Sequence, residues 1–235
     1  MLKNVIISLL VGFAGFLGWL FWGIYQTSQH SDQFIKSAQV VASPDRWKSN
    51  DPKVLMIGNP NAKVTIIEYA DFKCPECGKY YQNAGKKIRT NYVDTGLVKI
   101  VFRPYPVYAD DGVKLLIGSY CIQEQGKFPS FHDAVFEYMW VNHFRQEDYQ
   151  KALDQVLTEE VVGNMFKDLG IDPIAYKTCF DSNKYFQAYE DDVFRAAPDE
   201  IQGTPSFIIG GRKVVGPQPY SVFKTLLDIE LDKVE

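Results

Sequence analysis

Val64-Thr65-Ile66-Ile67-Glu68-Tyr69-Ala70-Asp71-Phe72-Lys73-Cys74-Pro75-Glu76-Cys77 is the stretch whose reading decides the fold. Its first seven residues form a short apolar run rich in β-branched side chains, which reads as a buried strand. From Gly78 to Tyr92 the apolar residues return with helical spacing. Cys74 therefore falls at a strand-to-helix turn. Pro75 takes the first helical position, where a missing N–H costs nothing. Unpaired amides and the positive end of the helix dipole favour a thiolate on Cys74. The thiolate is the species that attacks or leaves in disulfide exchange. Cys77 lies about one turn deeper. An exposed nucleophile and a shielded resolving thiol are the expectation.

Two other readings of the pair compete. A CxxC can be half of a zinc site, but a second pair of ligands is missing. Cys121 and Cys179 stand alone, and His30, His132 and His143 are not spaced as partners, so no metal is expected. A structural disulfide across two intervening residues would be strained. Redox chemistry is the main reading. Glu76 tunes it unfavourably: at about 6 Å and an effective dielectric of roughly 20–80, its carboxylate repels a Cys74 thiolate by ~0.7–3 kcal/mol. Lys73 and Lys79 flank the motif and oppose it, which leaves the local charge slightly positive. Glu68 lies in the apolar run, six residues before Cys74. Buried there, its pKa would rise, and it could exchange a proton with Cys77. The alternative is a side chain pointing out of a strand end.

Working outward, Gly203-Thr204-Pro205-Ser206-Phe207-Ile208-Ile209-Gly210-Gly211 reads as a turn, a short strand and a hairpin turn, with Arg212-Lys213-Val214-Val215 returning. X-Pro bonds are cis only about 5–6% of the time, so from the residues alone Pro205 is a loop proline. At the other end, Val5 to Tyr25 contains no charge over 21 residues. A helix of that length spans about 31 Å, near the ~30 Å core of a bilayer. It exceeds an ordinary signal-peptide apolar region. An uncleaved signal anchor at 1–30 is expected, with Trp19, Trp22 and Tyr25 as an interfacial belt and Lys3 on the cytoplasmic side. A polar stalk at 31–53 follows. The chain has 235 residues, a net charge of −4 and 46% hydrophobic residues. That composition excludes a disordered or fibrous protein and gives no basic footprint for nucleic acid.

Three segments together resemble the DsbA-like thioredoxin-fold family, in its membrane-anchored, Gram-positive-type form. They are Ile57–Val64 leading into Glu68–Cys77, Cys121–Phe128 with Phe131-His132-Asp133, and Gly203–Phe207 with Gly210-Gly211-Arg212. The resemblance covers about 54–230. It implies an α/β thioredoxin sheet interrupted by a helical domain. It implies that Cys74 is the nucleophile and Cys77 its partner, that Pro205 is cis and faces them, and that Thr204 shapes the substrate groove. Glu68 matches the acid beneath the family's active site. It also implies an extracytoplasmic dithiol oxidase acting on unfolded or reduced secreted and membrane proteins, reoxidised by a quinone-linked membrane oxidase. The best-known oxidants of the family carry His where this chain has Glu76. That departure keeps a reductase alternative open, and a non-enzymatic peptide- or metal-binding module is a third reading.

The residues agree with that architecture independently. Residues 54–70 and 97–102 read as strands, and 111–198 is patterned as helix throughout, with Asp172-Pro173 as an N-cap and first position. A final helix is expected over 219–233, which places one domain at 54–235. Cys121 and Cys179 sit on apolar helical faces. They could close a structural disulfide worth roughly 2–4 kcal/mol, or pack as two separate thiols. Phe128, Phe131, Phe136, Tyr138, Trp140 and Phe144 read as core, and Glu190-Asp191-Asp192 as a solvated helix face. No phosphate loop, Ser/His/Asp set or nucleotide fingerprint is present, so no cofactor is expected.

Overall fold

The computed structural model describes residues 53–108, 111–147 and 149–234. The signal anchor at 1–30, and the stalk but for its last residue, lie outside the described residues. Among those described, no helix is long and apolar enough to cross a membrane.

The apolar run before the cysteines is one strand, β2 (Val64–Ala70), and within 54–70 a separate short strand, β1 (Leu55–Ile57), precedes it. Gly58 separates them at φ +103, a conformation closed to side chains, and a Cβ there would press on Val93 and the Val98 carbonyl. Asn59 then holds a tight turn through its carbonyl to Ala62 N and its Oδ1 to Asn61 N, each at 2.9 Å. With β3 (Val98–Pro104), β4 (Ser206–Ile209) and β5 (Arg212–Val215) they form one sheet of order β1-β3-β2-β4-β5. β2 lies at the centre, parallel to β3 and antiparallel to β4. Burial on both faces is why its sequence is a continuous apolar run. Glu68 is opposite Phe102 on one side and Phe207 on the other.

The parallel β2–β3 pair needs a crossover. It is supplied by α1 (Pro75–Tyr80), which runs on through wide π-helical turns at Tyr81–Gly85 and Arg89–Val93. Between β3 and β4 comes a helical block: α2 (Asp111–Glu124), α3 (Phe128–Asn142), α4 (Tyr149–Leu153), α5 (Glu159–Leu169), α6 (Pro173–Asp181) and α7 (Phe186–Phe194). Asp172 caps α6, its Oδ1 accepting from Ile174 and Ala175 N. The helix α8 (Tyr220–Asp232) closes the chain against the sheet. This is a thioredoxin-type α/β framework with a helical insertion.

On one face of the sheet Ile67, Tyr69 and Ile208 pack with Ala196 and Ile201. On the other, Phe72, Phe102, Phe128, Phe131 and Phe136 make a continuous aromatic core. Cys121 of α2 and Cys179 of α6 are bonded, with Cα atoms 5.8 Å apart. One expectation is corrected here: Asp192 is buried rather than solvated. Its Oδ2 accepts the Tyr120 hydroxyl at 2.6 Å and its Oδ1 lies 3.9 Å from Arg103 Nη1. Arg103 is 1% exposed at the end of β3, and a buried guanidinium needs a nearby carboxylate.

Candidate active site

Cys74 is the N-cap of α1, with extended backbone (φ −78, ψ 117) and Pro75 following. Both cysteines are free thiols and both are buried; Cys74 is 5% exposed and Cys77 not at all. Cys74 is thus more enclosed than its place at a helix start suggests. The reason is the loop above it. The Thr204–Pro205 peptide is cis, and Cys74 Sγ lies 3.4 Å from the Thr204 carbonyl oxygen.

The two thiols are strongly unequal. Cys74 is lowered to about 7, chiefly because the Cys77 thiol donates to its sulfur, with help from Thr204 and from the Cys77 and Glu76 amides, against the cost of burial. Cys77 is pushed well above the ordinary thiol value by burial and by the Cys74 charge. One sulfur is therefore readily ionised near neutral pH and the other stays a thiol.

Glu68 is 2% exposed. Burial, and the charge of Asp133, raise its pKa to about 8. It stands as a neutral acid within the fold at pH 7, not as a carboxylate at a strand end. Glu76 and Lys79 are half-exposed and face each other across one turn at 3.7 Å. Lys73 corrects a second expectation. It is 1% exposed, with its Nζ 2.5 Å from Asp111 Oδ1 and bonded to the Leu153 and Asp154 carbonyls. Its charge is neutralised by the helical block and does not flank Cys74 as a free cation.

Two residues that the sequence reading passed over shape the site. Asp71 is fully buried and accepts from Lys73, Val107 and Tyr108 N at 2.8–3.0 Å. It pins the loop after β3 beside the cysteines, where half-buried Tyr108 feels the Cys74 charge. An acid ending a buried strand just before a CxxC was the available signal. The other is Tyr80, buried on α1 three residues after Cys77. Gly78 is small for a reason: a Cβ there would strike the Phe144 ring, which packs against α1 from the helical block. Among the described residues no cluster of His, Cys, Asp or Glu could hold a metal ion.

The comparisons with known proteins match this geometry. A family model described as Thioredoxin matches residues 50–229. A protein of Bacillus anthracis named as a probable disulfide bond formation protein D is 26% identical over 181 residues, covering 75% of this chain and 78% of that protein. Relatives from Rickettsia felis and Rickettsia typhi, assigned by name to the protein-disulfide oxidoreductases, are 26% and 27% identical, and the chain spans just over half of their length, 54% and 59%. Among solved structures, oxidised BdbD from Bacillus subtilis superposes with a TM-score of 0.67 at 22% identity, over 83% of this chain and 98% of that one. The α-DsbA1 protein of Wolbachia pipientis gives 0.62 at 22% identity, over 82% and 94%. With its helix-capping CxxC, cis-proline loop and helical insertion, the chain belongs to the thioredoxin family, in its DsbA-like group of thiol–disulfide oxidoreductases.

Proposed function

We propose that the protein is a dithiol oxidase that introduces disulfides into secreted or membrane proteins outside the cytoplasm, through the Cys74–Cys77 couple. The observation that carries the reading is the split between the two thiols: Cys74 lowered to about 7 beneath the cis Thr204–Pro205 loop, Cys77 pushed up and buried. A substrate thiolate attacks Cys74 Sγ of the oxidised pair, and Cys77 leaves. Its thiolate takes the proton of neutral Glu68. A second substrate thiolate then attacks the substrate sulfur of the mixed disulfide and expels the Cys74 thiolate, which its neighbours stabilise. The substrate loses two electrons and the enzyme holds them as a dithiol. A quinone-linked membrane oxidase is the proposed acceptor, and the segment at 1–30 the proposed single-pass anchor. Pro205 and Thr204 hold the substrate backbone. An open groove of about 860 Å³, lined by residues of the segment from Ala197 to Gly203 together with Ser206, Lys213 and Val215, adjoins that loop in sequence and is the proposed path for the substrate chain.

One observation favours a second reading. A nucleophile near 7 is close to the value typical of thioredoxin, about 7, and far from that of DsbA, about 3.5. Thioredoxin is a reductant at about −270 mV and DsbA an oxidant at about −120 mV. The equilibrium potential of the couple in the full chain against glutathione decides between them. A potential above the glutathione couple supports the oxidase, and one near the thioredoxin value assigns a reductase. Cys74→Ser abolishes turnover with either direction of flow; retained insulin reduction or dithiol oxidation in that variant refutes the role of the couple.

A further inference from the structure

Glu68 and Cys77 are both sealed from solvent, yet the reaction requires the proton they exchange to leave the protein. Two buried side-chain atoms have no hydrogen-bond partner among the described residues: the Tyr80 hydroxyl and His132 Nε2. Tyr80 is 2% exposed and His132 5%. Their placement follows from the register. Tyr80 stands three residues after Cys77 on α1, on the same helix face. Its ring lies 4.4 Å from that of Phe207, the residue opposite Glu68 on β4. On the other side the His132 ring lies 5.4 Å from that of Phe102, the residue opposite Glu68 on β3. Directly opposed residues present their side chains to the same face, so Glu68 is bracketed by the two groups.

We propose that Tyr80 and His132 are proton-relay residues, Tyr80 connecting Cys77 with Glu68 and His132 connecting Glu68 with Asp133 at the surface. The proposal rests on the role of Glu68 given above. His132 Nδ1 is 2.9 Å from Asp133 Oδ1. A carboxylate only accepts, so Nδ1 carries a proton, and in the neutral imidazole Nε2 is the acceptor. Asp133 is one-third exposed and lies 3.7 Å from Arg89 Nη2, which gives the line an outlet. The electrostatics agree with the placement. Burial, then Glu68, then Cys77 push up the Tyr80 hydroxyl, and Asp133 acts on Glu68 in turn. Tyr81 also packs on the His132 ring at 5.9 Å and is pushed up by burial and by Asp133. Glu68, neutral at rest, first gives its proton through His132 to solvent; as the disulfide closes and the Tyr80 hydroxyl comes within hydrogen-bond reach of both groups, the Cys77 proton passes to Tyr80 oxygen as the Tyr80 proton passes to ionised Glu68. The resulting Cys77 thiolate attacks Cys74 Sγ, the bond from Cys74 to its partner sulfur breaks, and that sulfur leaves as a thiolate. Glu68 is left neutral, as the next round of substrate oxidation requires.

The full-length protein, reduced and treated with an aromatic disulfide that caps Cys74 with thionitrobenzoate, releases a second thionitrobenzoate only on closure. Stopped-flow absorbance separates the two steps. Tyr80→Phe and His132→Ala are each expected to slow closure relative to capping by about tenfold or more near neutral pH, and added imidazole is expected to restore the rate in His132→Ala. Closure at the wild-type rate in both variants overturns the relay. If Glu68→Gln is slow in that same assay, the role of Glu68 survives without it; if Glu68→Gln is also unchanged, both fall. Should His132→Ala not fold, Tyr80→Phe, which deletes one oxygen, decides alone: unimpaired closure overturns the relay and slowed closure sustains it.

Discussion

Glu68 shows how one residue couples the chemistry to stability. In the folded protein its pKa is about 8, against 4.5 for the free group. Between those values the native state binds the proton and the unfolded chain does not. Stability contributed by this site is therefore greatest at acid pH and falls as pH rises through 4.5 toward 8. At about 1.4 kcal/mol per pKa unit, the loss reaches up to about 5 kcal/mol once Glu68 ionises. Glu68→Gln removes that slope. Denaturant midpoints taken near pH 5 and near pH 9 are expected to converge in the variant and to diverge in the parent protein. Parallel profiles would place Glu68 in contact with water. Lys73, five residues on, teaches the complementary lesson. A lysine beside a cysteine reads as a local cation, but only the tertiary contact with Asp111 shows where its charge is spent.

The elements divide by what holds them. The strand–helix junction at Cys74 is secured by local chemistry that the sequence displays: a buried run, a cysteine at the cap and a proline at the first helical position. The same holds for Asp172 at the start of α6. That helix, however, has no fully buried residue. Tyr176 lies over Gly118 and against Phe166, with ring centroids 4.7 Å apart, and the Cys121–Cys179 bond carries the rest of its attachment to α2. The bond closes a loop of 58 residues, for which the chain-entropy account gives about 4 kcal/mol. Replacing both cysteines with alanine is expected to lower unfolding stability by about 2–4 kcal/mol, read from urea titration under oxidising conditions. An unchanged midpoint would mean that packing alone fastens α6. The π-helical turns after α1 were not legible, because a widened turn leaves the apolar spacing nearly intact.

At the scale of the molecule, the redox motif is tied to the helical insertion by one buried cation. Lys73 Nζ meets Asp111 of α2 and the carbonyls of Leu153 and Asp154 at the end of α4, and Asp111 Oδ2 in turn accepts Leu157 N. Removing one member leaves a buried charge uncompensated. Lys73→Met is expected to cost about 3–5 kcal/mol, and adding Asp111→Leu to recover most of it. A double variant no more stable than the single one would show that the backbone contacts of Lys73 dominate. Denaturant unfolding of the three proteins measures this directly.

The sequence by itself determined the parts of this protein that depend on neighbours along the chain. These are the CxxC at a helix start, the alternation of strand and helix and the hairpin after Pro205, because propensity, capping and hydrophobic period are local properties. Only the tertiary structure decided what depends on residues brought together from afar. It neutralised Lys73, buried Asp192 beside Arg103, laid the cis Thr204–Pro205 bond over Cys74, and enclosed Glu68 between Phe102 and Phe207. A pKa or an ion pair is set by burial and by charges within a few ångströms, and sequence separation does not record either.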